Sequence, residues 1–95
     1  MNRTLTVAVV GTGFLARTRL QCWRKVNHAT VEVVVASRDR KSAEEFAAAN
    51  GADRAATIEE AFADPSVTLV DLCVPNHAHA PLCEQAAAAG KHVLC

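Results

Sequence analysis

From Leu5 to Ala16 the chain reads Leu-Thr-Val-Ala-Val-Val-Gly-Thr-Gly-Phe-Leu-Ala, and no other stretch narrows its possible folds as much. The apolar, β-branched run up to Val10 predicts a strand buried on both faces, as in parallel sheets. The run stops at Gly11, glycine returns at Gly13, and the small Ala16 follows three residues later. A G-x-G-x-x-A turn between a strand and a helix suits the pyrophosphate of a dinucleotide. Gly11 permits a sharp exit from the strand, and Gly13, lacking a Cβ, lets a phosphate approach the backbone. Ala16 is small enough for the helix to pack close, and that helix aims unpaired backbone N–H groups at the same place. A tight turn with no ligand is the plain alternative.

The rest of the chain continues as such a turn requires. Phe14 to about Val26 reads as a helix with Leu15, Ala16, Leu20, Trp23 and Val26 on one face, closed at Asn27-His28. Val31 to Ala36 is a second dense apolar run, and Arg40 to Ala49 a second helix, with Ala43, Phe46 and Ala47 inward and Gly51 past its end. Arg54 to Ala56 is a short strand at best. Thr57 and Glu60 then form a capping box for a brief helix that stops at Asp64-Pro65. Val67 to Val74 is another buried strand, in which Asp71 needs a partner. His79 to about Ala89 reads as a helix with Pro81 in its first turn, and His92 opens a last strand. Strand and helix alternate throughout. This predicts an α/β, Rossmann-like, doubly wound parallel sheet of about five strands, with ligand at the strands' carboxyl ends.

Length and charge narrow the function. Ninety-five residues make one small domain at most. With a formal net charge of +0, nothing favours nucleic acid or an anionic membrane as partner. The apolar run at the N-terminus is cut at Gly11, too short for a signal peptide or a membrane span. Cys22, Cys73, Cys83 and Cys95 lie far apart, without a disulfide spacing, so a reduced, cytoplasmic setting is expected. His77, His79 and Cys83 are close enough to suggest zinc, but no second Cys/His pair recurs, and no metal is expected.

Two further turns fall at carboxyl ends of strands. Ala36-Ser37-Arg38-Asp39 has no acid at the strand tip, where an NAD site uses one for the ribose hydroxyls. Ser37 and Arg38 suit a 2′-phosphate instead, and Asp39 is placed to cap the next helix. NADP is therefore the preferred cofactor, with NAD the alternative. Pro75, Asn76 and His79 follow the fourth strand, where Asn76 suits a ribose or carboxamide; His77 is expected to face solvent. For Arg38 the competing reading is a solvated loop charge, and for His79 a structural role in the turn.

These stretches, together with Ser66 to Asn76, His79-Ala80 and Ala89-Gly90-Lys91-His92-Val93-Leu94-Cys95, resemble the Gfo/Idh/MocA family of oxidoreductases (glucose–fructose oxidoreductase, inositol dehydrogenase and relatives). The resemblance spans essentially the whole chain. It implies a nicotinamide dinucleotide, with Gly11, Thr12, Gly13, Phe14 and Leu15 toward the phosphates. Ser37 and Arg38 would lie at the adenosine end, and Pro75, Asn76 and His79 at the nicotinamide side. It also implies hydride transfer at a hydroxyl-bearing carbon of a sugar, inositol or diol, in an enzyme that is a homo-oligomer when complete. In that family the last strand leads into Glu-Lys-Pro, whose lysine is the usual acid/base. The chain reaches Cys95 before that place, and Lys91 precedes the strand. The expectation is a truncated cofactor domain, inactive alone and without a catalytic residue of its own. A non-catalytic nucleotide-binding or partner-interaction module and a non-binding remnant are the alternatives.

Overall fold

The β-branched apolar runs become strands, and every described strand but the last is followed by a helix. In this computed structural model, which describes residues 4–26 and 30–95, the order is β1 (Thr4–Val10), α1 (Phe14–Arg24), β2 (Thr30–Ser37), α2 (Arg40–Asn50), β3 (Arg54–Thr57), α3 (Ile58–Ala63), β4 (Leu69–Leu72), α4 (Asn76–Ala88) and β5 (His92–Leu94). The strands form one sheet in the order β3-β2-β1-β4-β5, all parallel. This is the doubly wound arrangement.

The alternation of side chains along β1 sorts the core into two layers. Val7 and Val9 pack with Ala16 and Leu20 of α1 and Ala43 and Ala47 of α2. Ala8 and Val10 pack on the other face with Ile58, Ala61 and Phe62 of α3 and Leu82 and Ala86 of α4. A β1 or β2 valine taken fully out of water contributes on the order of 1.5 kcal/mol. That sandwiching explains why Val7–Val10 and Val33–Ala36 are apolar without a break. The helix ends follow local chemistry. Asp39 caps α2 by accepting from Lys41 N at 3.2 Å, and Gly51 closes it at φ +73°. At α3, Thr57 Oγ1 accepts from Glu60 N at 3.1 Å while Glu60 Oε1 accepts from Thr57 N at 2.9 Å.

Several expectations need correction. Leu15 and Val26 do not join the buried face of α1: they are 51% and 38% exposed. Ala16 and Leu20, with half-buried Trp23, suffice to seat the helix. α1 ends at Arg24 with Lys25 as its C-cap; the Asn27-His28 closure lies outside the described residues. β4 is shorter than Val67 to Val74 because its partner β1 turns away after Val10, paired with Leu72. α4 starts at Asn76, not His79, with Pro75 as its N-cap. Pro81 is therefore the sixth helical residue, beyond the first turn. It forgoes one backbone bond to the carbonyl of His77, a residue exposed to solvent where water can take that bond. No described helix is long and apolar enough to cross a membrane.

Candidate functional site

The glycine turn rests against β4. Gly11 has φ +125°, and a Cβ there would lie 2.3 Å from the Cys73 carbonyl oxygen. Glycine is required twice over, by conformation and by space. Gly11 N donates to the Ala36 carbonyl at 2.9 Å, and Cys73 N donates to the Val10 carbonyl at 2.9 Å, so the turn is held from both sides. Gly13 differs. Its φ of −96° is open to any residue, and a Cβ would meet nothing within 4 Å. Nothing inside the chain requires glycine there, and the space beside it is open.

Gly13 is also the N-cap of α1, and no side chain caps that helix. The first helical bond runs from Arg17 N to Gly13 O at 3.1 Å, which leaves the N–H groups of Phe14, Leu15 and Ala16 ahead of the ladder. Phe14 is 86% exposed beside them. An uncapped helix start next to a glycine cradle fits a diphosphate.

A cleft of about 300 Å³ opens at the carboxyl ends of the strands. It brings together Gly11 and Thr12, Ser37 and Arg38, and Pro75, over a floor that includes Val10, Ile58, Val74 and Leu82. Gly13, Phe14 and Leu15 stand at the head of α1 without lining it, and Asn76 is exposed outside it. His77 and Ala78 reach its wall; His77 is exposed, as expected, at the rim of the open cleft. His79 is turned away: its Nε2–H donates to the Val74 carbonyl at 2.7 Å, which fixes the proton on Nε2 and braces the turn around Pro75. Arg38, Ile58 and Leu82 also border a second hollow of about 340 Å³ with Thr57, Glu59 and Gln85. Sequence reasoning missed the apolar floor. Ile58 follows the capping threonine at the carboxyl end of a strand, and that position was the available signal.

The electrostatics at the tip of β2 are specific. The Asp39 carboxylate accepts from Ser42 Oγ at 2.9 Å and from Lys41 N, and these bonds hold it below the usual carboxylate range. It is committed to α2. Cys73 is no nucleophile: burial, and then the neighbouring Asp71 charge, push its thiol up to about 12. Among the described residues no group of three or more His, Cys, Asp and Glu is arranged to hold a metal ion.

This fold and this cleft define a Rossmann-type nucleotide-binding domain. A family model for Gfo/Idh/MocA, described as an oxidoreductase family with an NAD-binding Rossmann fold, matches residues 5–95, and the chain belongs to that family. An uncharacterized oxidoreductase of Synechocystis sp. is 36% identical over 95% of this chain and 24% of its own length. Among solved structures, an NAD-binding oxidoreductase from Klebsiella pneumoniae superposes with a TM-score of 0.85 at 31% identity, over 95% of this chain and 26% of that one. A levoglucosan dehydrogenase in complex with NADH and levoglucosan gives 0.80 at 28% identity, over 98% of this chain and 27% of that one. The chain thus spans about a quarter of the length of these relatives.

Proposed function

We propose that the complete protein transfers hydride between a nicotinamide cofactor and a hydroxyl-bearing carbon of a sugar, inositol or diol. In this reading the chain supplies the cofactor seat and prefers NADP(H) to NAD(H). The observation that carries it is the convergence of Gly11, Thr12, Ser37, Arg38 and Pro75 on one cleft. The substrate class is supported by the relative solved with levoglucosan. The cofactor preference is supported by Arg38, which borders both hollows, and by Asp39, whose carboxylate is already used by α2.

When bound, the nicotinamide supplies the hydride acceptor or donor. The chain's own residues bind and orient it. Gly11 and Gly13 would leave room for the diphosphate, the N–H groups at the head of α1 would hold it, and the guanidinium of Arg38 would supply positive charge and donors to a 2′-phosphate. Acid/base chemistry belongs elsewhere in the complete enzyme. Lys91 is occupied at the opposite end of the sheet, where Nζ donates to the Asp64 carbonyl at 2.6 Å.

Calorimetric titration of the chain with NADPH and NADH tests this reading. NADPH is expected to bind about tenfold tighter, a difference of about 1.4 kcal/mol, and Arg38→Ala is expected to erase it. Equal affinities in the wild type overturn the preference, and binding of neither overturns the cofactor role. The chain alone is expected to turn over no polyol or sugar; measured turnover would place the acid/base group within it.

A further inference from the structure

Asp71 lies in the middle of the sheet, on β4, 1% exposed. Only it and Thr6 are buried polar or charged residues among those described. Its Oδ2 accepts from Arg19 Nε at 3.0 Å and from Trp23 Nε1 at 2.9 Å, and its Oδ1 faces the Cys73 thiol at 3.8 Å. Both strong donors sit on α1, one turn apart, Arg19 at its midpoint and Trp23 near its end away from the glycine turn. Otherwise α1 grips the sheet mainly through two fully buried side chains, Ala16 and Leu20. A buried carboxylate is a poor source of net stability compared with an apolar side chain of similar size. What it does supply is a fixed direction, since a bond to an indole N–H and a guanidinium N–H admits little rotation of the helix.

The residue that follows β4 carries the wall of the site. Two residues beyond Asp71, the Cys73 carbonyl is the atom that confronts Gly11. β4 and its immediate continuation therefore set both the glycine turn and, through Asp71, the axis of the helix whose head faces the cleft. We propose that Asp71 is a positioning residue for the dinucleotide: with Arg19 and Trp23 it fixes the pitch of α1 against β4, so that the N–H groups at Phe14 to Ala16 converge on the phosphates. The proposal rests on the cofactor-seat reading above.

The chain has a single tryptophan, so Trp23 gives one indole N–H resonance, and it reports on this bond. Dinucleotide is titrated into the wild type, Asp71→Leu, Asp71→Asn, Trp23→Phe and the α2 core variant Phe46→Leu, which does not line the cleft. Affinity is read by calorimetry, folding by thermal melts, and the indole signal by NMR. Asp71→Leu and Trp23→Phe are expected to weaken binding about tenfold and about threefold while still melting cooperatively. Asp71→Asn keeps an acceptor for Trp23 and is expected to stay within about twofold of the wild type. The indole resonance is expected to move on dinucleotide addition in the wild type and to stay still in Asp71→Leu. Should Asp71→Leu fail to fold, Trp23→Phe carries the comparison. Wild-type affinity in Trp23→Phe and in any folded Asp71→Leu overturns the proposal. So does an equal loss in Phe46→Leu at a matched drop in melting temperature. A wild-type chain that folds but binds neither NADH nor NADPH overturns the cofactor seat itself, and the positioning role with it.

Discussion

Gly11 and Gly13 stand two residues apart and are glycine for unlike reasons. At Gly11 an added methyl meets backbone, the Cys73 carbonyl, in a conformation that disfavours every L side chain. Gly11→Ala is expected to cost on the order of 3 kcal/mol of stability, from strain and overpacking together, measured by urea unfolding. At Gly13 the methyl meets nothing within 4 Å, and φ is ordinary. Gly13→Ala should therefore change stability by under about 1 kcal/mol, the loss expected at an N-cap, yet weaken dinucleotide binding at least about tenfold. Stability and affinity read on the two variants separate a glycine kept for the chain from a glycine kept for a ligand. The G-x-G spacing made both visible in the sequence but did not distinguish them, because the difference lies in how close β4 comes.

The elements differ in how plainly they are written. β1 and β2 are legible because burial on both faces of their central residues, Val7–Val10 and Val33–Ala36, leaves those positions apolar, with Thr6 the buried polar residue of β1. α3 is legible from its cap, since Thr57 and Glu60 satisfy each other's backbone partners wherever they occur at that spacing. The start of α4 is not. Its inward residue in the first turn, Ala78, is small, and Asn76 and His77 face solvent, so the periodic signal begins too late. The partner of Asp71 was equally hidden: Arg19 and Trp23 reach it from α1, across a separation in sequence that no local pattern spans. At the amino-terminal edge of the sheet, the loop before β4 carries a titratable element. Asp64 is lowered from the ordinary 3.8 to about 2, chiefly by the Ser66 hydroxyl and N–H and then by Arg54, whose Nη2 lies 2.9 Å away. Because the folded value is depressed, the stabilisation is complete above the unfolded value and is lost as pH falls through the folded one. The melting temperature is expected to drop between about pH 4 and pH 2, and Asp64→Asn should flatten that part of the profile. An identical profile in the variant would assign the drop to other carboxylates.

Across the whole molecule, the strand order places β1 between the partners of two opposite crossovers, β2 on one side and β4 on the other. A crevice at that reversal follows from topology before any side chain is considered, which is why the end of the sheet that carries the cleft could be named from alternation alone. The details of its apolar floor could not, since Ile58, Val74 and Leu82 come from three elements that only the folded sheet brings together. The pairing also sets an order in time. The glycine turn is synthesised early, but the carbonyl that walls it belongs to Cys73, delivered by β4. Contacts so far apart in sequence form late and slowly. On the ribosome, a chain that has not yet exposed its fourth strand carries the phosphate fingerprint without the phosphate seat. On this reading, cofactor present during synthesis is expected to find its seat only once β4 docks beside β1, so a ribosome-bound chain stalled before β4 emerges is expected not to retain dinucleotide.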